Sequence, residues 1–202
     1  FTPEARRPDP QRLLRGYERA ALTVNFIRAL SEGGFADLHH PENWDLEFVR
    51  RMPRSEKYDE LLSSLGEAIR FLEAIVQVST PSLERVDFYT SHEGLHLHYE
   101  QSQTRTVPRR NAWYNLSTHM PWIGNRTRSL EGAHIEYFRG IRNPIGVKVG
   151  GDVDVQEIAE MVRVLNPEKE EGRLTLIHRF GADKIGDQLA DTIAAVQRTG
   201  TP

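Results

Sequence analysis

Apolar residues recur at helical spacing through the first third of the chain. Leu13, Leu14, Tyr17, Ala20, Ala21, Val24, Phe26, Ile27 and Leu30 follow a period near 3.6 and predict an amphipathic helix. Asp9 predicts its cap and Pro10 its first residue, because an Asp oxygen can accept an orphan N–H and Pro needs no donor there. Gly33 and Gly34 predict its stop. A second stripe, Leu61, Leu62, Leu65, Ile69, Leu72, Ile75 and Val76, predicts another helix, with Ser55 placed to cap it. Each stripe is expected to pack against a neighbouring surface.

From about residue 84 the period changes. Short β-rich runs stand at Val86–Tyr89, Trp113–Leu116, Ile145–Val149 and Leu174–Ile177, with starts 27, 32 and 29 residues apart. Helical patterns fill the later gaps: Gly132–Ile141, Val155–Leu165 and about Lys184 to Arg198. Strands alternating with helices predict βα units on a parallel sheet. A (β/α)8 barrel repeats such a unit eight times in about 250 residues. The expected fold class is therefore α/β, with residues 84–202 forming about half of a TIM barrel and residues 1–83 an added N-terminal helical region. An open doubly wound sheet fits the same alternation.

Charge and composition narrow the function. The chain carries 26 Lys+Arg against 29 Asp+Glu, a net charge of −3, which excludes the polycationic surface that drives nonspecific nucleic-acid binding. With 38% apolar residues it has material for a core, and with no Cys it has neither disulfides nor thiolate metal ligands. No run approaches 18 apolar residues, so no membrane span is expected. The N-terminus FTPEARRPDPQ has no signal-peptide shape and no initiating Met, and a processed chain or a piece of a longer one is expected.

The expected strand ends carry cations. Arg126 follows the second strand, Lys148 lies near the end of the third, and His178 and Arg179 end the fourth. In α/β folds ligands bind at the carboxyl ends of parallel strands. Arg offers a planar fork and Lys a mobile point charge, which together suit a compact polyanion such as a phosphate or carboxylate. Gly124 beside Asn125 allows close backbone approach. The alternative is pairing of these cations with nearby Asp and Glu; a Lys among Val and Ile needs either a partner or a place at the strand mouth. His92, His96 and His98 with Glu93 match no specific metal-ligand spacing and are expected to be hydrogen-bonded polar residues. No nucleophile elbow, P-loop or dinucleotide fingerprint is present, the Asn115 and Asn125 glycosylation patterns are read as chance, and Arg105–Arg110 reads as a solvated basic loop.

Several stretches then carry a specific resemblance. Thr90-Ser-His-Glu-Gly94, Trp122-Ile-Gly-Asn-Arg-Thr-Arg128, Gly132-Ala-His-Ile-Glu136, Asn143-Pro-Ile-Gly-Val-Lys-Val-Gly150 and Gly172-Arg-Leu-Thr-Leu-Ile-His-Arg-Phe-Gly181 resemble the type II (plant-like) 3-deoxy-D-arabino-heptulosonate 7-phosphate (DAHP) synthases. Asn25–Leu30 and Gly34–Leu38 fit as well. The resemblance implies a (β/α)8 barrel with added helices and an enzyme that condenses phosphoenolpyruvate with erythrose 4-phosphate, releasing phosphate at the entry to the shikimate pathway. It implies phosphoenolpyruvate contacts at Asn125, Arg126, Lys148 and Arg179, where Asn125 replaces the family's usual acidic residue. It also implies a divalent metal, Mn²⁺ or Co²⁺, whose Cys, His, Glu and Asp ligands fall outside this chain, and a cytoplasmic homo-oligomer. The general base has no assignment. The chain alone is expected to be an inactive central piece of a longer protein. The competing expectation is a catalytically inactive relative acting as a binding or regulatory partner.

Overall fold

The computed structural model describes residues 2–33, 51, 55–76, 87–151 and 153–202. The expected stop at Gly34, the stretch Gly34–Leu38, the His39-His40 pair, the Val86 start of the first expected strand, and the side chains of Ser55 and Val76 lie outside the described residues. The chain forms two units, residues 1–88 and residues 89–202.

In the first unit, α1 spans Pro10–Glu32. Asp9 Oδ1 accepts the Gln11 N–H at 2.9 Å, and Pro10 occupies the first helical position, as the sequence predicts. The Gly33 N–H donates to the Ala29 carbonyl and ends the helix. Helix α2 spans Ser55–Val76. Among the described residues the expected packing of the two stripes is partial: Ala21, Val24, Ile27 and Leu30 of α1 are half-buried. No residue of α1 is buried, and Leu22 and Phe26 are 71% and 63% exposed. In α2 Ile69 is buried, but Leu61, Phe71 and Ile75 are exposed. An amphipathic pattern names the face suited to burial; it does not supply the surface that covers it.

The second unit holds β1 (Ser91–Glu93), α3 (Leu97–Ser102), β2 (Thr104–Val107), β3 (Ala112–Asn115), β4 (Met120–Ile123), α4 (Ala133–Arg139), β5 (Ile145–Gly150), α5 (Val155–Leu165), β6 (Leu174–Arg179) and α6 (Ile185–Arg198). Strands β1, β4, β5 and β6 form one sheet in that order, and every pairing is parallel. The order does not reverse, so no doubly wound switch point arises among the described strands, and the arrangement is consistent with an arc of a (β/α)8 barrel.

Two expected strands need correction. The first sheet strand is Ser91–Glu93, while Asp87, Phe88 and Tyr89 carry no strand. The run Trp113–Leu116 belongs to β3, which pairs antiparallel with β2 in a separate hairpin. Met120–Ile123 is the sheet strand instead. Propensity marked Trp113 and Tyr114 as β-formers, but propensity does not state the partner. The true sheet strands start 29, 25 and 29 residues apart, at Ser91, Met120, Ile145 and Leu174.

The core lies between one sheet face and the helices. Ile123, Ile145, Val147 and Val149 pack with Ile135 and Phe138 of α4 and Ile158, Met161, Val162 and Leu165 of α5. Helix α5 begins where Asp154 Oδ1 accepts the Gln156 N–H at 2.8 Å. Polar groups fix the segment leading into β4. Buried Asn143 accepts the Asn115 N–H at 2.8 Å and donates to the carbonyls of Asn115, Thr118 and His119. Buried Glu100 takes hydrogen bonds from Asn115 Nδ2 at 2.6 Å and Ser117 Oγ at 3.0 Å, and pairs with His92 Nε2 at 2.9 Å. Burial opposes its charge, but His92, Asn115 and Ser117 more than offset this and hold the carboxyl below its ordinary pKa.

Asn143→Ala should therefore destabilise the unit by about 2–4 kcal/mol, because several buried backbone groups lose their partner together. Denaturant unfolding of the two proteins measures the difference, and a change within error would show that water replaces the amide.

Candidate active site at the strand ends

Parallel register sorts the strand residues into two faces. Glu93 stands beside Trp122 and Trp122 beside Gly146; Lys148 stands beside Ile177 and Gly150 beside Arg179. Alternation along β5 puts Gly146, Lys148 and Gly150 on one face and Ile145, Val147 and Val149 on the helix-covered face. Glu93, Trp122, Lys148 and Arg179 thus share the face opposite the helices, in rows rising toward the carboxyl ends.

Glu93 and Lys148 meet across these rows. Lys148 Nζ donates to Glu93 Oε2 at 2.8 Å and lies 5.0 Å from the Trp122 ring centroid. The sequence offered Lys148 either a partner or the strand mouth; the structure gives it both. Glycines make room for this contact. A side chain at Gly124 would run into the Glu93 carboxylate, and one at Gly146 would meet Trp122 Cβ at 2.9 Å. The Lys148 hydrogen bond holds the Glu93 carboxyl below its ordinary pKa against the opposing effect of partial burial, and the Lys148, Trp122 and Arg126 groups reinforce it.

Arg126 lies in the 3-10 turn Asn125–Thr127 that directly follows β4. It is exposed and makes no ion pair among the described residues, yet its charge reaches Glu93. Arg179 is the last residue of β6 and is also exposed. Asn125 turns its side chain to the scaffold: Oδ1 accepts the Gly150 N–H at 2.8 Å and the Arg128 Nε–H at 3.1 Å. Arg128, nearly buried, also donates to Glu157 of α5 at 2.5 Å.

His178 belongs elsewhere. It stands beside Val149 on the helix-covered face, its ring is 5.0 Å from that of Phe180, and burial pushes its pKa down. The histidines near β1 divide as well. His92 pairs with Glu100, His96 caps α3 by accepting the Tyr99 N–H, and His98 lies within α3. The nearby carboxylates are occupied by Lys148 and by the His92–Asn115–Ser117 group, and no cluster of three or more metal-ligating side chains exists among the described residues. The described residues do not fit a divalent metal.

Sequence reasoning considered Glu93 only as a metal ligand. Its signal was present, since Ser91-His-Glu-Gly94 ends on an acid just before a glycine. Placing the first strand five residues too early hid it, because a strand end is recognised only when the strand is.

The Class-II DAHP synthetase family matches the chain over residues 1–202. A phospho-2-dehydro-3-deoxyheptonate aldolase of Neurospora crassa is 42% identical over 211 residues, covering 98% of this chain and 44% of the relative. One of Streptomyces coelicolor is 42% identical over 200 residues, covering 99% of this chain and 44% of the relative. The chain thus spans under half the length of these curated relatives.

The Glu93–Lys148 pair should make stability pH-dependent in a defined direction. A carboxyl with a depressed folded-state pKa contributes fully above its unfolded value, ordinarily 4.5, and loses that contribution as pH falls through the folded value. The stability difference between wild type and Glu93→Gln is expected to be constant above that range and to shrink below it. A difference unchanged down to strongly acidic pH would show that the pair is not the source.

Proposed function

The chain belongs to the Class-II DAHP synthetase family, and from that premise we propose that the protein carrying it condenses phosphoenolpyruvate with erythrose 4-phosphate and releases phosphate. The observation that carries this reading is the set of three cations, Arg126, Lys148 and Arg179, at three successive strand ends, with Lys148 and Arg179 on one sheet face. Phosphoenolpyruvate places a phosphate and a carboxylate on adjacent positions of a three-carbon unit. Two guanidinium forks and one ammonium match that charge, and each Arg can engage two oxygens at once.

The reaction forms a bond between the methylene carbon of the enol and the aldehyde carbon. Water adds at the carbon that bore the phosphate oxygen, and phosphate leaves. This chain's contribution is to hold the anion and fix its orientation. Positioning of two reactants supplies a large share of catalysis in such condensations. Arg126, Lys148 and Arg179 bind the phosphate and carboxylate, and Asn125 joins the site through its main chain, because its side-chain oxygen is already engaged. Glu93 keeps Lys148 in place. The family's divalent metal, manganese or cobalt, finds no fitting set of side chains among the described residues.

Residues 1–83 are read as a helical extension and residues 84–202 as barrel units. The exposed apolar faces of α1 and α2 support a homo-oligomer in which such faces are covered. No described helix is long and apolar enough to cross a membrane, and a cytoplasmic setting suits two small phosphorylated substrates.

In the full-length protein, Arg126→Ala should lower kcat/KM for phosphoenolpyruvate by the equivalent of about 2–4 kcal/mol, the scale of a lost charge-assisted clamp. Arg179→Lys should also weaken it, since an ammonium cannot reproduce a two-pronged contact. Steady-state kinetics with erythrose 4-phosphate and calorimetric binding of phosphoenolpyruvate are the measurements. Unaltered kinetics in both variants would remove the cations from the site.

A further inference from the structure

We propose that Asn125 acts on the site as a positioning residue through its side chain: its amide oxygen braces the Arg126 turn against the end of β5, and its neutrality adds no further negative charge to the cation cluster. The inference deepens the anion-site reading above and rests on it.

Two donors converge on one oxygen. Asn125 Oδ1 accepts the Gly150 N–H at 2.8 Å and the Arg128 Nε–H at 3.1 Å. Gly150 ends β5, two residues beyond Lys148 and in register with Arg179. Arg128 is 9% exposed and continues the connection to Glu157 of α5 at 2.5 Å. The turn that carries Arg126 is thereby tied to the strand that carries Lys148 and to the helix behind it. Without this acceptor, the turn is held by its own Thr127–Gly124 contacts and by the Arg128–Glu157 pair.

The brace requires an acceptor of this reach. Alanine removes the oxygen, and a side chain one methylene longer carries its oxygen past the point where both donors meet. Aspartate is isosteric and accepts the same two hydrogen bonds. It also brings a charge. Arg128 is already matched by Glu157, so a carboxylate at position 125 would add uncompensated negative charge next to Arg126. Geometry and charge at this position are therefore separable by substitution. N125A breaks the brace and keeps neutrality; N125D keeps the brace and changes the charge.

The test uses the full-length protein, with phosphoenolpyruvate and inorganic phosphate as probes, read by calorimetry and steady-state kinetics over a salt series. N125A is expected to lower kcat/KM for phosphoenolpyruvate by roughly tenfold or more, the scale of losing hydrogen bonds that involve a charged group, and the loss should persist at all salt concentrations. N125D is expected to weaken binding of both anions about three- to tenfold and to lower kcat/KM for phosphoenolpyruvate with it, an effect that added salt diminishes because it acts through charge. Wild-type behaviour in N125A overturns the brace, as does an N125D loss in kcat/KM equal to that of N125A and indifferent to salt. Should N125A not fold, N125D decides alone: anion affinity equal to wild type at low salt overturns the charge argument. Arg126→Ala, run alongside, separates the two levels. If it binds phosphoenolpyruvate as wild type does, the anion-site reading has failed; if it loses binding while N125A does not, only the brace has failed.

Discussion

Strand β5 sits between two parallel neighbours and must satisfy opposite demands along one short run. Ile145, Val147 and Val149 are fully buried against α4 and α5, while Lys148 in their midst faces the other way. The two-residue period of a strand makes this possible, because each step reverses the side-chain direction. A slip of one residue would drive Lys148 into the helix layer, where an unpaired ammonium is prohibitive, and would expose three branched apolar residues. The core therefore holds the register, and the register holds the cation at its height on the opposite face.

Neighbouring elements inherit that register. Trp122 stands beside Gly146 and Arg179 beside Gly150, so the rows of the sheet carry the β5 alternation outward on both sides. Glycine appears where the rows crowd: Gly146 against Trp122 Cβ and the Ile177 side chain, and Gly124 against the Glu93 carboxylate. The opposite end of the sheet is held by different means. Buried Arg173, just before β6, donates to the carbonyls of Phe138 in the last turn of α4 and of Ile141 just beyond it, and Arg142 pairs with Glu168 and Glu170. Cations at this end serve helix termination and loop pairing. At the carboxyl end Lys148 and Arg128 are paired, while Arg126 and Arg179 make no ion pair among the described residues.

That division bears on function. A cation satisfied by a partner contributes little to ligand binding unless the partner yields or shares it. Lys148 shares its charge with Glu93, whereas Arg126 and Arg179 make no ion pair among the described residues. The site thus combines one held charge with two open ones. The held charge adds order, and the open ones add attraction. Asn125 contributes to the same balance by accepting hydrogen bonds without charge.

Much of this was legible in the residues themselves. The limits of α1, α2, α5 and α6 followed from stripes of apolar residues and, for α1, from Asp9 and Gly33, since caps and periodicity act within a few residues of chain. The strand-end positions of Arg126, Lys148 and Arg179 were legible too, because a cation next to a β-rich run marks a strand end before any strand is placed in space. What the chain could not state locally was pairing. Trp113–Leu116 and Met120–Ile123 are both short and β-prone, and only the long-range contacts of β5 and of Asn143 decide that the second enters the parallel sheet while the first folds back on β2. The same holds for Glu93 and for the Asn125 side chain, whose partners lie 55 and 25 residues away. Local sequence determined which segments coil, which extend and where charge resides. The tertiary structure alone decided which side chains meet, because contact across a sheet depends on register, and register is a property of two strands at once.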